Sequence, residues 1–221
     1  MIKLVIFDLD GTLINSVNDL ADAVNDSLAE MGYPVHEVDK YYNFVGNGTV
    51  KLSERALPLD HRNQDEVIKL HTLFAEKYEK YCLNKTKPYD GIIDTVHKLK
   101  NEFKIKCAVA SNKTDSFAKY IVNNLFQHDD FDTVIGKLDG IPAKPDPQII
   151  FNIINQFDVD KSEVILVGDS DVDVITAHNG NIPCIGCEWG FRGKEELEKA
   201  GADYIAKKPE DILKIVRNLQ G

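Results

Sequence analysis

The chain has 221 residues, of which 43% are hydrophobic and 28% are charged, as expected for a globular protein with one core domain and an insertion. Its formal net charge of -10 argues against nucleic acid as a partner, because binding to a phosphate backbone needs a basic surface. The chain shows neither a signal-peptide pattern nor an apolar run near the roughly 20 residues that span a bilayer, so we expect a cytoplasmic protein without a membrane partner.

Short apolar runs rich in β-branched residues recur along the chain and predict strands. The predicted strands cover residues 3–8, 105–111, 132–136, 163–169, 182–187 and 202–206. Several of these runs are apolar at nearly every position, which is typical of strands covered on both faces in a parallel sheet.

Helical patterns lie between the strands. Helices are predicted at 90–103, at 114–126 with Thr114 as the cap, at 146–157 with Asp146 as the cap and Pro147 as the first residue, and at 209–219. Strands that alternate with helices in this way predict an α/β fold, a doubly wound, Rossmann-like and mostly parallel sheet.

Residues 15–82 interrupt this alternation. An apolar stripe over residues 17–31 ends at Gly32, and residues 49–57 and 63–81 are further helical segments. We therefore predict a helical cap domain, residues 15–82, inserted into an α/β core domain formed by residues 1–14 and 83–221. Because the insertion follows the first strand directly, it can lie over the loop at the end of that strand.

The chain has four cysteines, and Cys184 and Cys187 form a CxxC motif. By itself this motif suggests half of a zinc site or a redox pair. No second pair occurs at metal-binding spacing, and positions three apart in a strand face opposite sides of the sheet. We interpret these residues as small buried hydrophobic side chains with reduced thiols.

Four loops combine polar and charged residues. They are DLDGT at residues 8–12, SNK at 111–113, KPDP at 144–147 and GDSDVD at 168–173. In an open α/β sheet, ligands bind at the carboxyl ends of the strands. Asp8 and Asp10 would point to the same side of an extended strand, so both could reach one ligand. Each loop alone is explained by a turn or a helix cap, but together they predict a single site.

In this order, the four motifs resemble those of the haloacid dehalogenase superfamily in its phosphatase branch, and the helical insertion resembles the first type of cap in that family. The resemblance implies that Asp8 is the nucleophile and forms an aspartyl-phosphate. It also implies that Asp10 protonates the leaving alcohol and then activates water. Asp10 favours phosphoryl transfer over dehalogenation, because a halide leaves without a proton.

The resemblance further implies a Mg²⁺ cofactor held by Asp8, the backbone carbonyl of Asp10 and Asp169, with Asp173 in support. Two unit charges at 4 Å repel by about 1 kcal/mol in water and roughly 4 kcal/mol near a protein surface. A hard cation with oxygen ligands removes the repulsion between a carboxylate and a phosphate.

Three further residues are implied to bind the phosphate: Ser111, Asn112 and Lys144. They would contact the phosphoryl oxygens, and Lys144 would also bring a positive charge to the nucleophile.

Residues 44–52 and 189–197 resemble segments of phosphoglycolate phosphatases. The amides near Gly46, Asn47 and Gly48 suit a carboxylate or a second phosphate, although a plain turn capped by Asn47 or Thr49 fits equally well. Arg192 either reaches an anion or lies in solvent.

The sequence thus predicts a Mg²⁺-dependent phosphatase for a small phosphorylated metabolite, with phosphoglycolate as the first candidate, acting as a monomer or homodimer. The alternatives are an inorganic pyrophosphatase, a phosphosugar mutase or phosphatase, and a non-catalytic protein that binds a phosphometabolite.

Overall fold

The computed structural model describes residues 1–220, which form a central sheet with helices on both sides and a separate group of helices. The strands are β1 (Leu4–Phe7), β2 (Ile14–Asn15), β3 (Lys87–Pro88), β4 (Lys106–Thr114), β5 (Thr133–Lys137), β6 (Val164–Gly168), β7 (Cys184–Cys187) and β8 (Tyr204–Ala206). The helices are α1 (Val17–Glu30), α2 (Val38–Phe44), α3 (Thr49–Ala56), α4 (Gln64–Tyr81), α5 (Ile92–Asn101), α6 (Asp115–Leu125), α7 (Gln148–Ile154), α8 (Asp171–Gly180), α9 (Gly193–Ala200) and α10 (Pro209–Asn218). Over these residues, no helix has the length and apolar character needed to cross a bilayer.

The central sheet consists of six parallel strands in the order β5-β4-β1-β6-β7-β8. Strand β1 lies in the middle, where Leu4 is opposite Lys106 on one side and Val164 on the other. All four residues of β1 are buried, as expected for a strand covered on both faces. This topology confirms the predicted α/β class and brings the carboxyl ends of β1, β4 and β6 together.

Side chains of the sheet divide between two apolar clusters. Val5 and Phe7 lie in the cluster that includes α1, α5 and α10, whereas Ile6 lies in the cluster that includes α7 and α8. The CxxC pair divides in the same way, with Cys187 in the first cluster and Cys184 in the second. Both thiols are free and buried, and burial raises the pKa of each, which supports the structural interpretation of this motif.

Between β2 and β3 the chain forms α1 to α4, called here the helical segment. The predicted stripe is buried at Leu20, Val24 and Leu28, and α1 is followed by Gly32 in the left-handed conformation. Helix α2 was not predicted, because seven residues are too few to show a clear helical period. The division into a core and a cap domain stays a prediction.

Strands β2 and β3 form an antiparallel pair where the chain enters and leaves the helical segment, with Asn15 opposite Lys87. Asp19 in the first turn of α1 accepts hydrogen bonds from the backbone N–H groups of Lys85 and Thr86 at 2.8–3.0 Å. The start of α1 is therefore fixed to the returning chain.

The structure corrects one predicted helix start and confirms another. Helix α7 begins at Gln148, and Pro147 is its N-cap rather than its first residue, because Asp146 Oδ1 accepts the Gln148 N–H at 2.9 Å and forms a local turn. Thr114 is the N-cap of α6 as predicted, but its hydroxyl makes no capping hydrogen bond, since this residue also ends strand β4.

Candidate active site

Asp8 and Asp10 lie at the carboxyl end of β1 and line one cavity. The strand ends at Phe7, so the predicted reason for their shared direction, alternation along a strand, is wrong. Instead the chain turns just beyond the strand, and Gly11 has a φ of 90°. A side chain at Gly11 would meet Asp169 Oδ2 at 2.3 Å, so the turn needs glycine both for its conformation and for space.

Lys144 links Asp8 to Asp173. Its Nζ lies 2.7 Å from Asp8 Oδ1 and 2.6 Å from Asp173 Oδ1, and it also donates to the carbonyl of Ala110 at 3.0 Å. Asn112 holds the backbone of Lys144, since its Oδ1 accepts the Lys144 N–H at 2.8 Å and its Nδ2 donates to the Lys144 carbonyl at 3.0 Å. The Asn112 side chain therefore positions the lysine.

Asp169 follows β6 and is held by two donors. The backbone N–H of Phe191 donates to Oδ2 at 2.7 Å, and the Thr12 hydroxyl donates to Oδ1 at 3.3 Å. Asp173, in the first turn of α8, accepts the Ser170 hydroxyl at 2.7 Å on Oδ2 while Lys144 occupies Oδ1. Both oxygens of Asp173 thus have protein donors, which suits an orienting role.

The cluster carries more negative charge than its lysines balance. Burial raises the pKa of Asp8 to about 7, where Lys144 acts against the shift and Asp173 adds to it. Burial, Asp173 and Asp8 together raise the pKa of Asp169 well above its ordinary value. In each case the protein penalises the carboxylate form that a metal ligand or nucleophile needs.

A divalent cation fits these residues. The site has four carboxylates and two buried lysines, so two negative charges are left over: Asp8, Asp10, Asp169 and Asp173 against Lys113 and Lys144. One oxygen from each of Asp8, Asp169 and Asp173 lies within 4.8 Å of the others. Carboxylate oxygens at this spacing suit Mg²⁺.

Lys113 was not given a role from the sequence, yet it is central to the site. Its side chain is 1% exposed, and its Nζ lies 3.0 Å from Asp10 Oδ2 and donates to the Tyr78 hydroxyl at 3.0 Å. Ser16 donates to Asp10 Oδ1 at 2.5 Å. Burial by itself lowers the pKa of Lys113, but Asp10 and Tyr78 more than offset it, so the net pKa is raised.

The helical segment closes the cavity from above. Its contribution to the cavity wall is Leu20, Val45, Gly46, Gly48, Thr49 and Leu52, and the core side contributes Asp8, Asp10, Ser111, Asn112 and Lys113. The cavity is about 40 Å³, room for roughly three waters at 10–15 Å³ each. The core side of the wall carries the charged groups, and the helical segment contributes three apolar side chains, those of Leu20, Val45 and Leu52.

The start of α3 has no side-chain cap. Gly48 is the N-cap residue with a φ of 85°, and no side chain accepts a hydrogen bond from the first turn. Asn47 Oδ1 instead accepts from Arg55 at 2.7 Å, and the Thr49 hydroxyl lies 2.9 Å from His71 Nε2. The alternative in which Asn47 or Thr49 caps this helix is therefore wrong.

Arg192 connects the core to the helical segment. It donates to the carbonyls of Tyr42 at 2.6 Å and Val45 at 2.8 Å, at the C-terminal end of α2, where carbonyls lack helical partners. Its side chain is 12% exposed and also pairs with Glu196 at 3.3 Å. The expectation that Arg192 lies in solvent is therefore wrong. Arg192 does not line the cavity, and its contact with an anion stays a prediction.

The fold and the site together define an α/β enzyme with a buried carboxylate–lysine centre at the end of a parallel sheet. The family model described as haloacid dehalogenase-like hydrolase matches residues 5–187. The chain belongs to this family, as the order of its motifs predicted.

Relatives and solved structures agree with this assignment. The chain is 32% identical to the phosphoglycolate phosphatase of Psychrobacter arcticus over 89% of this chain and 88% of that protein. It is 35% identical to the phosphoglycolate phosphatase of Pseudomonas syringae pv. tomato over 97% of this chain and 78% of that protein. A crystal structure from Lactobacillus delbrueckii subsp. bulgaricus superimposes with a TM-score of 0.91 at 28% identity, covering 97% of this chain and 98% of the other. In sequence the chain is therefore phosphoglycolate phosphatase-like over nearly its whole length.

Proposed function

We propose that this chain hydrolyses a small phosphomonoester, and that phosphoglycolate is its substrate. The observation that carries the proposal is the joint position of Asp8, Asp10 and Ser111 around one cavity, with Lys144 2.7 Å from Asp8. The phosphoglycolate phosphatases that resemble the chain at 32% and 35% identity support the choice of substrate.

In the proposed reaction, an Asp8 oxygen forms a bond to phosphorus while the bond from phosphorus to the leaving oxygen breaks. Asp10 gives its proton to that leaving oxygen, so the product departs as an alcohol. Water then attacks the aspartyl-phosphate, Asp10 takes back a proton, and phosphate and free Asp8 result. Because the attacking and leaving oxygens are in line at phosphorus, Asp10 has to reach the oxygen opposite Asp8 in both steps, and both carboxylates line the one cavity.

The surrounding groups neutralise and orient the phosphoryl oxygens. Lys144 brings a positive charge to Asp8. The Ser111 hydroxyl and the backbone N–H of Asn112 would donate to the phosphoryl oxygens. Asp8, Asp169 and the carbonyl of Asp10 would hold Mg²⁺, whose charge offsets the repulsion between carboxylate and phosphate. Asp173 would keep Lys144 in place through their 2.6 Å contact.

The uncapped start of α3 supports a substrate with a second anionic group. Gly48 and Thr49 line the cavity, and the amides of a helix N-terminus favour a carboxylate. The small cavity supports a short substrate. We also propose that residues 15–82 act as a cap that shifts to admit it.

A panel of phosphate compounds tests the proposal: phosphoglycolate, pyrophosphate, a hexose phosphate and an aryl phosphate, ranked by kcat/KM from phosphate release. We expect phosphoglycolate first, activity lost in Asp8→Asn, and activity lost in excess chelator and restored by Mg²⁺. Pyrophosphate ranked first would point to a pyrophosphatase, and an isomer formed without phosphate release would point to a mutase. Binding without turnover of any compound would indicate a non-catalytic binding protein.

A further inference from the structure

Tyr78 joins the helical segment to the buried lysine of the site. It lies near the end of α4, is fully buried, and its hydroxyl accepts a hydrogen bond from Lys113 Nζ at 3.0 Å. The same Nζ is 4.7 Å from the centre of the Tyr78 ring, a cation–π distance. Two contacts from one side chain thus locate the lysine ammonium.

Lys113 in turn locates Asp10. Its Nζ lies 3.0 Å from Asp10 Oδ2, while the Ser16 hydroxyl donates to Asp10 Oδ1 at 2.5 Å. Ser16, just before α1, therefore holds one carboxylate oxygen of Asp10. Lys113, which Tyr78 of α4 holds in turn, holds the other oxygen. The direction of Asp10 depends on where the helical segment lies.

We propose that Tyr78 and Lys113 are positioning residues for Asp10, which they aim at the leaving oxygen while α4 rests against the core. This inference rests on the proposed function, because it assumes that Asp10 gives a proton to the leaving group. It extends that function by making the helical segment part of the acid's support, in addition to its role in closing the cavity.

The inference predicts a dependence on the leaving group. Proton transfer needs a donor within about 2.6–3.2 Å of the acceptor atom. A displaced Asp10 therefore slows the reaction most for substrates whose leaving oxygen has to be protonated. An alkyl alkoxide, as in phosphoglycolate, is a poor leaving group without a proton. A nitrophenolate leaves as a stable anion, and its departure is nearly independent of the acid.

The test compares kcat/KM for phosphoglycolate, or for the alkyl phosphate that ranks first in the panel, with kcat/KM for p-nitrophenyl phosphate. This parameter covers the transfer to Asp8 and leaves out the later hydrolysis of the aspartyl-phosphate, in which Asp10 acts for both substrates. Tyr78→Phe removes only the hydroxyl and keeps the ring contacts with Phe74 at 5.2 Å and Phe117 at 5.3 Å. We expect kcat/KM for the alkyl phosphate to fall about tenfold or more, within the range of general acid catalysis, and kcat/KM for the aryl phosphate to stay within about twofold.

Tyr81→Phe is the matched control. Tyr81 lies on the same helix, and its hydroxyl donates to Asp26 at 2.7 Å on the protein surface. This variant loses a similar hydrogen bond at a residue that does not line the cavity, so both kcat/KM values should match those of the unmodified chain. A fall that Tyr78→Phe and Tyr81→Phe share would mean a general effect on α4 and would overturn the inference.

Lys113→Met and Lys113→Arg provide a second, independent pair. Lys113→Met should lower the alkyl rate more than the aryl rate, and Lys113→Arg should recover part of the difference because it keeps a cation beside Asp10. An unchanged alkyl-to-aryl ratio in the folded Tyr78→Phe and Lys113→Met variants would refute the positioning role. If the unmodified chain releases phosphate from neither ester, the proposed function itself fails, which is a distinct result.

Discussion

Replacing Asp8 with Asn should abolish activity and yet stabilise the metal-free protein at alkaline pH. Burial is the largest cause of the raised pKa of Asp8, about 7 compared with an ordinary value of 3.8. Between about pH 4 and 7, the unfolded chain has released this proton while the folded chain still holds it. The folded state then binds more protons, so its stability falls as the pH rises through that window.

The size of the effect follows from the two pKa values. The change from 3.8 to about 7 corresponds to ~4 kcal/mol at 1.36 kcal/mol for each pKa unit. Asn resembles the protonated aspartate and escapes this cost. About 3 kcal/mol of the difference in unfolding free energy between Asp8→Asn and the unmodified chain should therefore develop between pH 5 and pH 8.

Urea unfolding in excess chelator measures this difference, with the fluorescence of Trp189, the one tryptophan in the chain, as the signal. The unfolding free energies of the two proteins are compared at about pH 5 and about pH 8. Asp139→Asn, which removes an exposed carboxyl in the same way, serves as the control for the exchange itself. If Asp8→Asn differs from the unmodified chain by the same amount at both pH values, the electrostatic reasoning for Asp8 is refuted.

Three further predictions test other parts of the structure. Arg192→Met removes both hydrogen bonds to the end of α2, so amide hydrogen exchange in residues 38–48 should speed up. KM should rise by about tenfold, which corresponds to ~1.4 kcal/mol of binding free energy. Unchanged exchange would speak against the contact. Gly190→Ala would place a Cβ 2.1 Å from the Cβ of Asp169, so this variant should have a lower melting temperature and no activity. Gly180→Ala in α8 is the control, because its new Cβ would lie 3.7 Å or more from its neighbours. Its melting temperature should be equal to that of the unmodified chain or higher. Cys187, whose pKa burial raises, should resist a thiol reagent in the folded protein and react after unfolding; rapid labelling of the native chain would contradict its burial.

Much of the sheet was predictable because its strands are nearly continuous apolar runs. The polar motifs at residues 8–12, 111–113 and 168–173 follow three such runs, and the structure places the corresponding strands next to each other in the order β4-β1-β6. The neighbourhood of Asp8 and Asp169 could be expected from this regularity, since parallel strands have their carboxyl ends at the same edge.

The supporting contacts could not be predicted, because each joins segments far apart in the chain. Tyr78 reads as one more apolar residue of an amphipathic helix, and only the fold brings its hydroxyl to Lys113. The sequence around Arg192 is also compatible with a surface residue, and only the fold brings its guanidinium to the carbonyls at the end of α2. Helix α2 itself is too short for a periodic signal. The roles assigned to the site residues stay predictions until the variants are measured.

The short antiparallel pair of β2 and β3 makes the helical segment easy to exchange, because it holds the two ends of that segment together. Ile14 is opposite Pro88 and Asn15 is opposite Lys87, so the outgoing and returning chains are about 5 Å apart, a gap that a tight turn can bridge. Deleting, lengthening or exchanging everything between these two points would leave the register of the six-stranded sheet untouched. A different insertion at this point could therefore change which molecules are accepted, provided that it again places a side chain where Tyr78 contacts Lys113.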